Sequence, residues 1–343
     1  MLTKTGVTVG VDMGGTSIKA LAVDGDNRIL ASGKISTLAH KPGQAIKDLA
    51  TLVKGTVADA GLKLKQIVGV GIGAPGAVDP RRGIVHKAPN LGWIDVPLGP
   101  ELRRLLRVPI VVDNDVNVGT VGEHALGAGE QAQGIVGIFV GTGIGGGIIL
   151  GGQLYYGFRG SAGEIGHTVL EVDGPLCGCG RRGCVEALAS RTAMERDVRA
   201  AIKAGRKSVV PQIMKERNST RMTSGVIVRA LKKRDPVMQE VMKRAEYYLG
   251  LVIANIVNIL DPERVVIGGG IAERLGEDFV APMRPTAYEH FLNQDNARSI
   301  KIVPGSLGDE AGSLGAVVLV RQRLGQTPAS RGKRNRKVPP PRM

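Results

Sequence analysis

Three cysteines stand within eight residues, Cys177-Gly178-Cys179-Gly180-Arg181-Arg182-Gly183-Cys184, and His167 precedes the first of them by ten positions. Three thiolates and one imidazole make a complete tetrahedral set for Zn²⁺, with no position left open for a substrate, so the pattern predicts a structural zinc in preference to a redox or iron–sulfur centre. The chain holds no other cysteine, and in a reducing compartment such crowding points to metal and not to a disulfide framework. Alone, His167 would read as a core histidine. The neighbouring thiols reverse that.

Glycine-rich turns form the second group of candidates: Asp12-Met13-Gly14-Gly15-Thr16, residues 141–147, Gly268-Gly269-Gly270, and residues 308–315, which include Gly312. Backbone N–H groups reach phosphate oxygens where no Cβ intervenes, so such turns are candidate anion cradles. Each taken singly reads equally well as a tight hairpin turn. Gly141-Thr142-Gly143-Ile144-Gly145-Gly146 matches the dinucleotide fingerprint in letters, but Gly147-Ile148-Ile149-Leu150 reads as strand, where that motif needs a helix. No Gly-x-x-x-x-Gly-Lys-Ser/Thr occurs either. A phosphate site between two hairpin turns remains. A third candidate, Asp115, stands in Asp113-Asn114-Asp115-Val116-Asn117 after the apolar run 110–112, at the carboxyl end of a strand, where ligand sites of α/β sheets form. A carboxylate there can accept a proton, although by itself it is equally a turn or helix-capping aspartate.

The elements that must position these groups repeat. A β-branched strand, a glycine-rich turn and two further strands occur at residues 7–33 and again at 135–156, which predicts two similar lobes. Residues 45–61 read as a helix, and 67–72 and 110–112 as buried strands, so the first lobe is α/β. Asp235 and Pro236 form an N-cap and first-turn pair for a long helix to Leu260. A strand at 265–267 feeds Gly268, and a last helix runs from near Gly312 to no further than Gly325. The domains expected are 1–118 with 308–326, then 119–307 with the cysteine cluster, then a disordered basic tail at 327–343.

Of 343 residues fifty are glycine, and the net charge is +15. Six of those charges (Arg331, Lys333, Arg334, Arg336, Lys337, Arg342) lie in the last seventeen residues, and much of the remainder falls between Arg191 and Arg244. Ten aromatics offer little for base stacking, so a solvated basic surface is preferred over nucleic-acid binding. The N-terminus lacks a signal-type apolar region and no apolar run is long enough to span a bilayer, which predicts a cytoplasmic protein with no membrane role.

Asp12-Met13-Gly14-Gly15-Thr16-Ser17-Ile18-Lys19 and residues 141–147 resemble the two phosphate motifs of the sugar-kinase and actin superfamily. More narrowly, Asp113-Asn114-Asp115-Val116-Asn117, Gly163-Glu164-Ile165-Gly166-His167 and the cysteine run with Val185-Glu186 resemble the ROK family of sugar kinases and repressors, over residues 7–325. The resemblance implies two actin-like (ribonuclease H-like) α/β lobes around a cleft, and ATP as phosphoryl donor. It implies Asp115 as general base, with Asn90, Asn114, Glu164, His167 and Glu186 on the sugar and Asp12 as partner of a hydrated Mg²⁺. Gly14, Gly15, Thr16, Lys19, Gly141, Thr142 and Gly143 fall on the phosphate motifs, and Gly268, Gly269, Gly270 and Gly312 on the adenosine side. His167, Cys177, Cys179 and Cys184 fall on the family's zinc ligands.

Pro89-Asn90-Leu91-Gly92-Trp93 is similar to the glucokinase branch, with fructose, mannose, N-acetylglucosamine and N-acetylmannosamine kinases as alternatives. A homodimer or homotetramer is the expected assembly. A sugar-responsive repressor is the competing class, disfavoured because only eleven residues precede Asp12, too few for a helix-turn-helix head.

Overall fold

The computed structural model describes residues 6–15, 17–37 and 40–325. Thr16 and the segment 327–343, both among the sequence-based expectations, lie outside the described residues. The chain opens on the strands β1 (Val7–Met13), β2 (Ser17–Val23) and β3 (Ile29–Ser36), then helix α1 (Pro42–Asp59). Next come β4 (Ile67–Ala74), β5 (Ala77–Asp79), β6 (Ile84–Ala88), β7 (Trp93–Val96), α2 (Leu98–Leu106), β8 (Ile110–Asn114) and α3 (Asp115–Leu126). A second set of strands, β9 (Ile135–Val140), β10 (Ile144–Leu150) and β11 (Gln153–Leu154), leads into α4 (Val185–Ala189), α5 (Arg191–Lys203), α6 (Val210–Glu216), α7 (Ser224–Lys232) and α8 (Pro236–Leu260). The last elements are β12 (Arg264–Gly268), three short helices α9 (Ala272–Leu275), α10 (Glu277–Val280) and α11 (Met283–Glu289), then β13 (Lys301–Pro304) and α12 (Ala311–Arg323).

Two five-stranded sheets share one topology, in the orders β3-β2-β1-β4-β8 and β11-β10-β9-β12-β13. In each, three strands pair antiparallel and two more join in parallel, β4 and β8 in the first, β12 and β13 in the second. The repeat expected from the sequence is thus a repeat of topology, the duplicated α/β lobe of the actin-like fold. Central strands such as β1 and β9 are buried almost throughout, as their continuous apolar runs require, whereas the edge strand β3 alternates between exposed and half-buried residues. A small third sheet, β5-β6-β7, carries the buried Trp93; its strands of three to five residues are too short to read from alternation.

Helices α3 and α12 cross between the two sheets, α12 against β1 and β4, α3 against β9 and β10. Small residues make the crossing possible: a Cβ on Gly315 would stand 1.8 Å from the Val118 carbonyl oxygen. The same need explains the glycine run in the second lobe. The sequence pattern predicts one turn over 141–147 before a strand at 148, but β10 begins at Ile144, and only Gly141, Thr142 and Gly143 turn. Gly145 and Gly147 lie within the strand beneath α3, where added Cβ atoms would come within 2.5 Å of Val116 and 2.3 Å of Thr120. Helix α8 starts where the Asp-Pro pair placed it, with the Asp235 side chain accepting from the Met238 N–H. No helix among the described residues is long and apolar enough to cross a membrane.

Candidate active site

The β1–β2 hairpin sets Asp12 directly opposite Lys19. Burial pushes the Asp12 carboxyl up to about 6, against the pull of Lys19, and Asp309 adds to the rise. Lys19 in turn lies 3.8 Å from Glu310, so the neighbourhood keeps an excess of carboxylates and suits a cation. At the turn, the Gly14 N–H donates to the Ser17 carbonyl (3.0 Å), and the Thr37 hydroxyl donates to the Gly14 carbonyl (2.7 Å). Gly312 abuts the Asp12 carboxylate: a Cβ there would lie 2.6 Å from Asp12 Cγ. A Cβ added to Gly15 would lie 3.9 Å from Asn90 Cβ, so this turn and Asn90 are neighbours. Asp309 and Glu273, the latter raised to about 7 by burial and its hydrogen bond to Asp309, also face this region. No spacing in the sequence announced them.

Asn114 ends β8 and caps α3, its Oδ1 accepting from the N–H groups of Val116 (2.9 Å) and Asn117 (3.1 Å) while its amide donates to Gly76 O (3.0 Å). Asp115 is therefore the first residue of a helix, and Val116 N–H donates to its Oδ1 at 3.0 Å. A helix N-terminus favours carboxylate charge. Burial outweighs it here, and with the Asp12 charge it lifts the Asp115 carboxyl to about 7. The cap is Asn114 and not Asp115, so the helix-capping reading of Asp115 passes to its neighbour.

On the other lobe, Glu186 links two features. Its Oε2 accepts from Ile144 N–H (3.0 Å) and its Oε1 from the Cys177 thiol (3.6 Å). Gly143 packs directly beneath this carboxylate: an added Cβ would fall 2.2 Å from Glu186 Oε2 and displace the glutamate side chain. Thr142 is gripped by the start of α5: the Arg191 guanidinium donates to its hydroxyl, the Thr192 hydroxyl to its carbonyl (2.7 Å), and the Arg191 N–H to Gly141 O (3.0 Å). Arg191 also reaches Ser224 at 3.5 Å, beside Gly270. Gly268 and Gly269 are occupied in packing against Phe139 and Val140, which leaves Gly270 as the residue of that turn facing Ser224.

The ligand atoms of His167, Cys177, Cys179 and Cys184 all lie within 4.8 Å of one another, and the three cysteines are free. Cys177 Sγ is 3.7 Å from His167 Nδ1, and Cys179 Sγ is 3.7 Å from Cys184 Sγ. Packed so closely, the thiols share out their charge. Hydrogen bonding, first from the Arg181 N–H, brings Cys179 down to about 6, while burial pushes Cys177 up to about 12. Three thiols and an imidazole converging on one point fit a four-coordinate soft cation. Nδ1 faces the thiols, so Nε2 is the nitrogen left for another partner.

Glu164 and Asn114 line a cavity of about 140 Å³ in the cleft, together with Gly76, Asp113, Tyr156 and Arg159. Asp113, Tyr156 and Arg159 carry no sequence signal that marks them for this cavity. Of the candidate side chains, Asn114 and Glu164 line this cavity, whereas Asp12, Asn90, Asp115, His167 and Glu186 are not among its lining residues.

The profile of the ROK family matches residues 8–323. A glucokinase of Halalkalibacterium halodurans is 33% identical, the match covering 92% of this chain and 95% of that one. A xylose repressor of Caldicellulosiruptor bescii is 31% identical over 92% of this chain and 78% of its own. Among solved structures, a ROK family glucokinase from Streptomyces griseus in complex with glucose and AMPPNP superposes with a TM-score of 0.80 at 32% identity, covering 92% of this chain and all of that one.

Proposed function

The chain belongs to the ROK family, and on that basis we propose that it is an ATP-dependent glucokinase in which Asp115 is the general base. Glucose and ATP are converted to glucose 6-phosphate and ADP. The observation that carries the reading is the placement of Asp115: a carboxyl raised to about 7 at the end of β8, between the Asp12 turn and the cavity lined by Asn114 and Glu164.

In this reading the hexose lies in that cavity with Asn90, Asn114, Glu164, His167 and Glu186 as polar partners, since a polyol needs donors and acceptors in fixed places. Asp115 accepts the proton of the 6-hydroxyl as its oxygen bonds to the γ-phosphorus and the bond from that phosphorus to the β,γ-bridging oxygen breaks. The Gly14-Gly15 and Gly141-Thr142-Gly143 turns receive the phosphates, although the N–H groups of Gly14 and Gly141 are already bonded within the turns, to Ser17 O and Gly143 O, and Gly270 and Gly312 border the nucleotide. Asp12 would hold a hydrated Mg²⁺, which supplies positive charge to the phosphate oxygens. His167, Cys177, Cys179 and Cys184 would hold a structural Zn²⁺ that fixes the His167 ring. The lobes divide at 1–118 with 308–326 and 119–307, the assembly is a homodimer or homotetramer, and the compartment is the cytoplasm.

A coupled assay of ADP release over a panel of hexoses and N-acetylhexosamines, with ATP or polyphosphate as donor, tests the reading. Glucose with ATP should give the highest kcat/KM. A different preferred sugar would overturn the glucose assignment, and no turnover of any sugar would overturn the kinase. A metal assay should find one zinc per chain, and its removal by a strong chelator should weaken glucose binding with little effect on ATP affinity.

A further inference from the structure

Asp113 is the one member of the Asp-Asn-Asp cluster whose carboxylate has nothing left to offer a substrate. It is 1% exposed. Oδ1 accepts from the Asn114 N–H (2.8 Å) and the Asn117 amide (3.1 Å), and Oδ2 accepts from the Tyr156 hydroxyl (2.6 Å) and the Arg323 guanidinium (3.0 Å). Arg323 also donates to the Tyr156 oxygen (2.8 Å), packs its guanidinium 6.0 Å from the ring centre, and donates to the Pro80 carbonyl (2.7 Å).

These contacts span the cleft. Asp113 belongs to the end of β8 in the first sheet, Arg323 ends α12, and Tyr156 comes after β11 of the second sheet. Tyr156 opens the segment 157–163, in which Gly157, Gly160 and Gly163 all take positive φ, and which delivers Glu164 to the cavity. So glycine-rich a segment carries a large conformational entropy and needs an anchor. Few backbone bonds supply one: Ala162 N–H donates to Tyr156 O, and Ile165 N–H to Gly163 O. Burial and the Asp113 charge hold the Tyr156 hydroxyl well above its ordinary range, so it stays a proton donor wherever the enzyme works.

We propose that Tyr156, clamped by Asp113 and Arg323, is a positioning latch that ties residues 156–164 across the cleft and thereby sets Glu164 for the sugar. The proposal rests on reading the cavity as the hexose pocket. Asp113 acts in it without touching substrate: one face of its carboxylate orders the start of α3, the other holds the opposite lobe.

Tyr156→Phe in the full chain removes the hydroxyl and keeps the ring. Hydrogen exchange of the ligand-free protein should show amides of 157–163 exchanging about tenfold faster, with α8 unchanged. The KM for glucose should rise about tenfold, with kcat and the KM for ATP within about twofold of the parent. Arg323→Met should do the same, and the double variant should be no worse than either single, because all report one latch. Unchanged exchange in 157–163 would overturn the latch. A rise in exchange spread equally over α8, or faster local exchange with an unaltered glucose KM, would overturn its positioning role. Failure of the parent to phosphorylate glucose would instead sink the glucokinase reading, and the exchange result would still decide whether the tie exists.

Discussion

Burial raises the Asp115 carboxyl to about 7 and the Asp12 carboxyl to about 6, and each feels the other's charge or that of a neighbouring acid. A general base must be ionised, so kcat/KM should fall as pH drops through about 7. A profile measured from about pH 5.5 to 9 that stays flat would remove Asp115 from that role. Asp115→Asn should lower kcat by about 10²–10⁴-fold and leave glucose binding, monitored by the fluorescence of the single Trp93, near that of the parent. Stability has its own pH dependence. Each group binds its proton more tightly folded than unfolded, where 3.8 is the ordinary value, so its stabilising contribution is complete below pH 3.8 and is lost as pH rises through the folded value. Asp115→Asn should therefore melt roughly 2–5 °C higher than the parent at about pH 8, with the gain shrinking toward about pH 5. Equal melting temperatures at the higher pH would contradict the burial argument. The Cys₃His set was legible because its donors lie within eighteen residues of one another, whereas Asp309, Glu273, Tyr156 and Arg323 reach the cleft from distant segments and left no spacing to read.

Helix α8 shows why some elements could be read and others not. Asp235 and Pro236 state its start, and thirteen of its twenty-five residues are buried at helical spacing. The structure adds a second duty. Asp235 is 2% exposed, and its two oxygens accept from the N–H of Met238 in α8 (2.8 Å) and of Val209 at the start of α6 (2.6 Å), so one carboxylate caps two helices. Asp235→Ala should cost about 2–3 kcal/mol in denaturant unfolding, the sum of a lost cap and a buried N–H left without a partner, with glucose and ATP KM unchanged. A loss under about 0.5 kcal/mol would show that water replaces the cap. Helices α5, α6 and α7 lie in the basic stretch and do not stand out as separate elements in the sequence, because charged residues on their exposed faces, such as Arg196, Arg199 and Lys232, dominate the local composition. In the glycine run after β9, turn chemistry and close packing leave the same letters. Contact with Val116 and Thr120 of α3, which no local pattern contains, decides that Gly145 and Gly147 belong to a strand.

Across the whole molecule, the two sheets meet through α3 and α12, and the positions of Asp115 and Gly312 both depend on how closely these helices cross. Identical substitutions should therefore have opposite signs in different helices. Gly55 is exposed in the interior of α1 and an added Cβ meets nothing within 4 Å, so Gly55→Ala should stabilise by about 0.5–1 kcal/mol through helix propensity alone. Gly315 is buried in α12, and its added Cβ would stand 1.8 Å from the Val118 carbonyl and 2.8 Å from the Gly122 nitrogen, both backbone atoms of α3 that cannot rotate away. Gly315→Ala must push the helices apart, at a cost of about 3 kcal/mol or more. Because the displaced helix carries Asp115 at its first turn, the same variant should lose kcat even at temperatures where it stays folded. Stability and kcat should fall together in Gly315→Ala, and stability alone should rise in Gly55→Ala. If Gly315→Ala proves as stable and active as the parent, the helices do not form a rigid layer between the sheets, and the Asp115 carboxylate must be held in place by β8 and its cap alone.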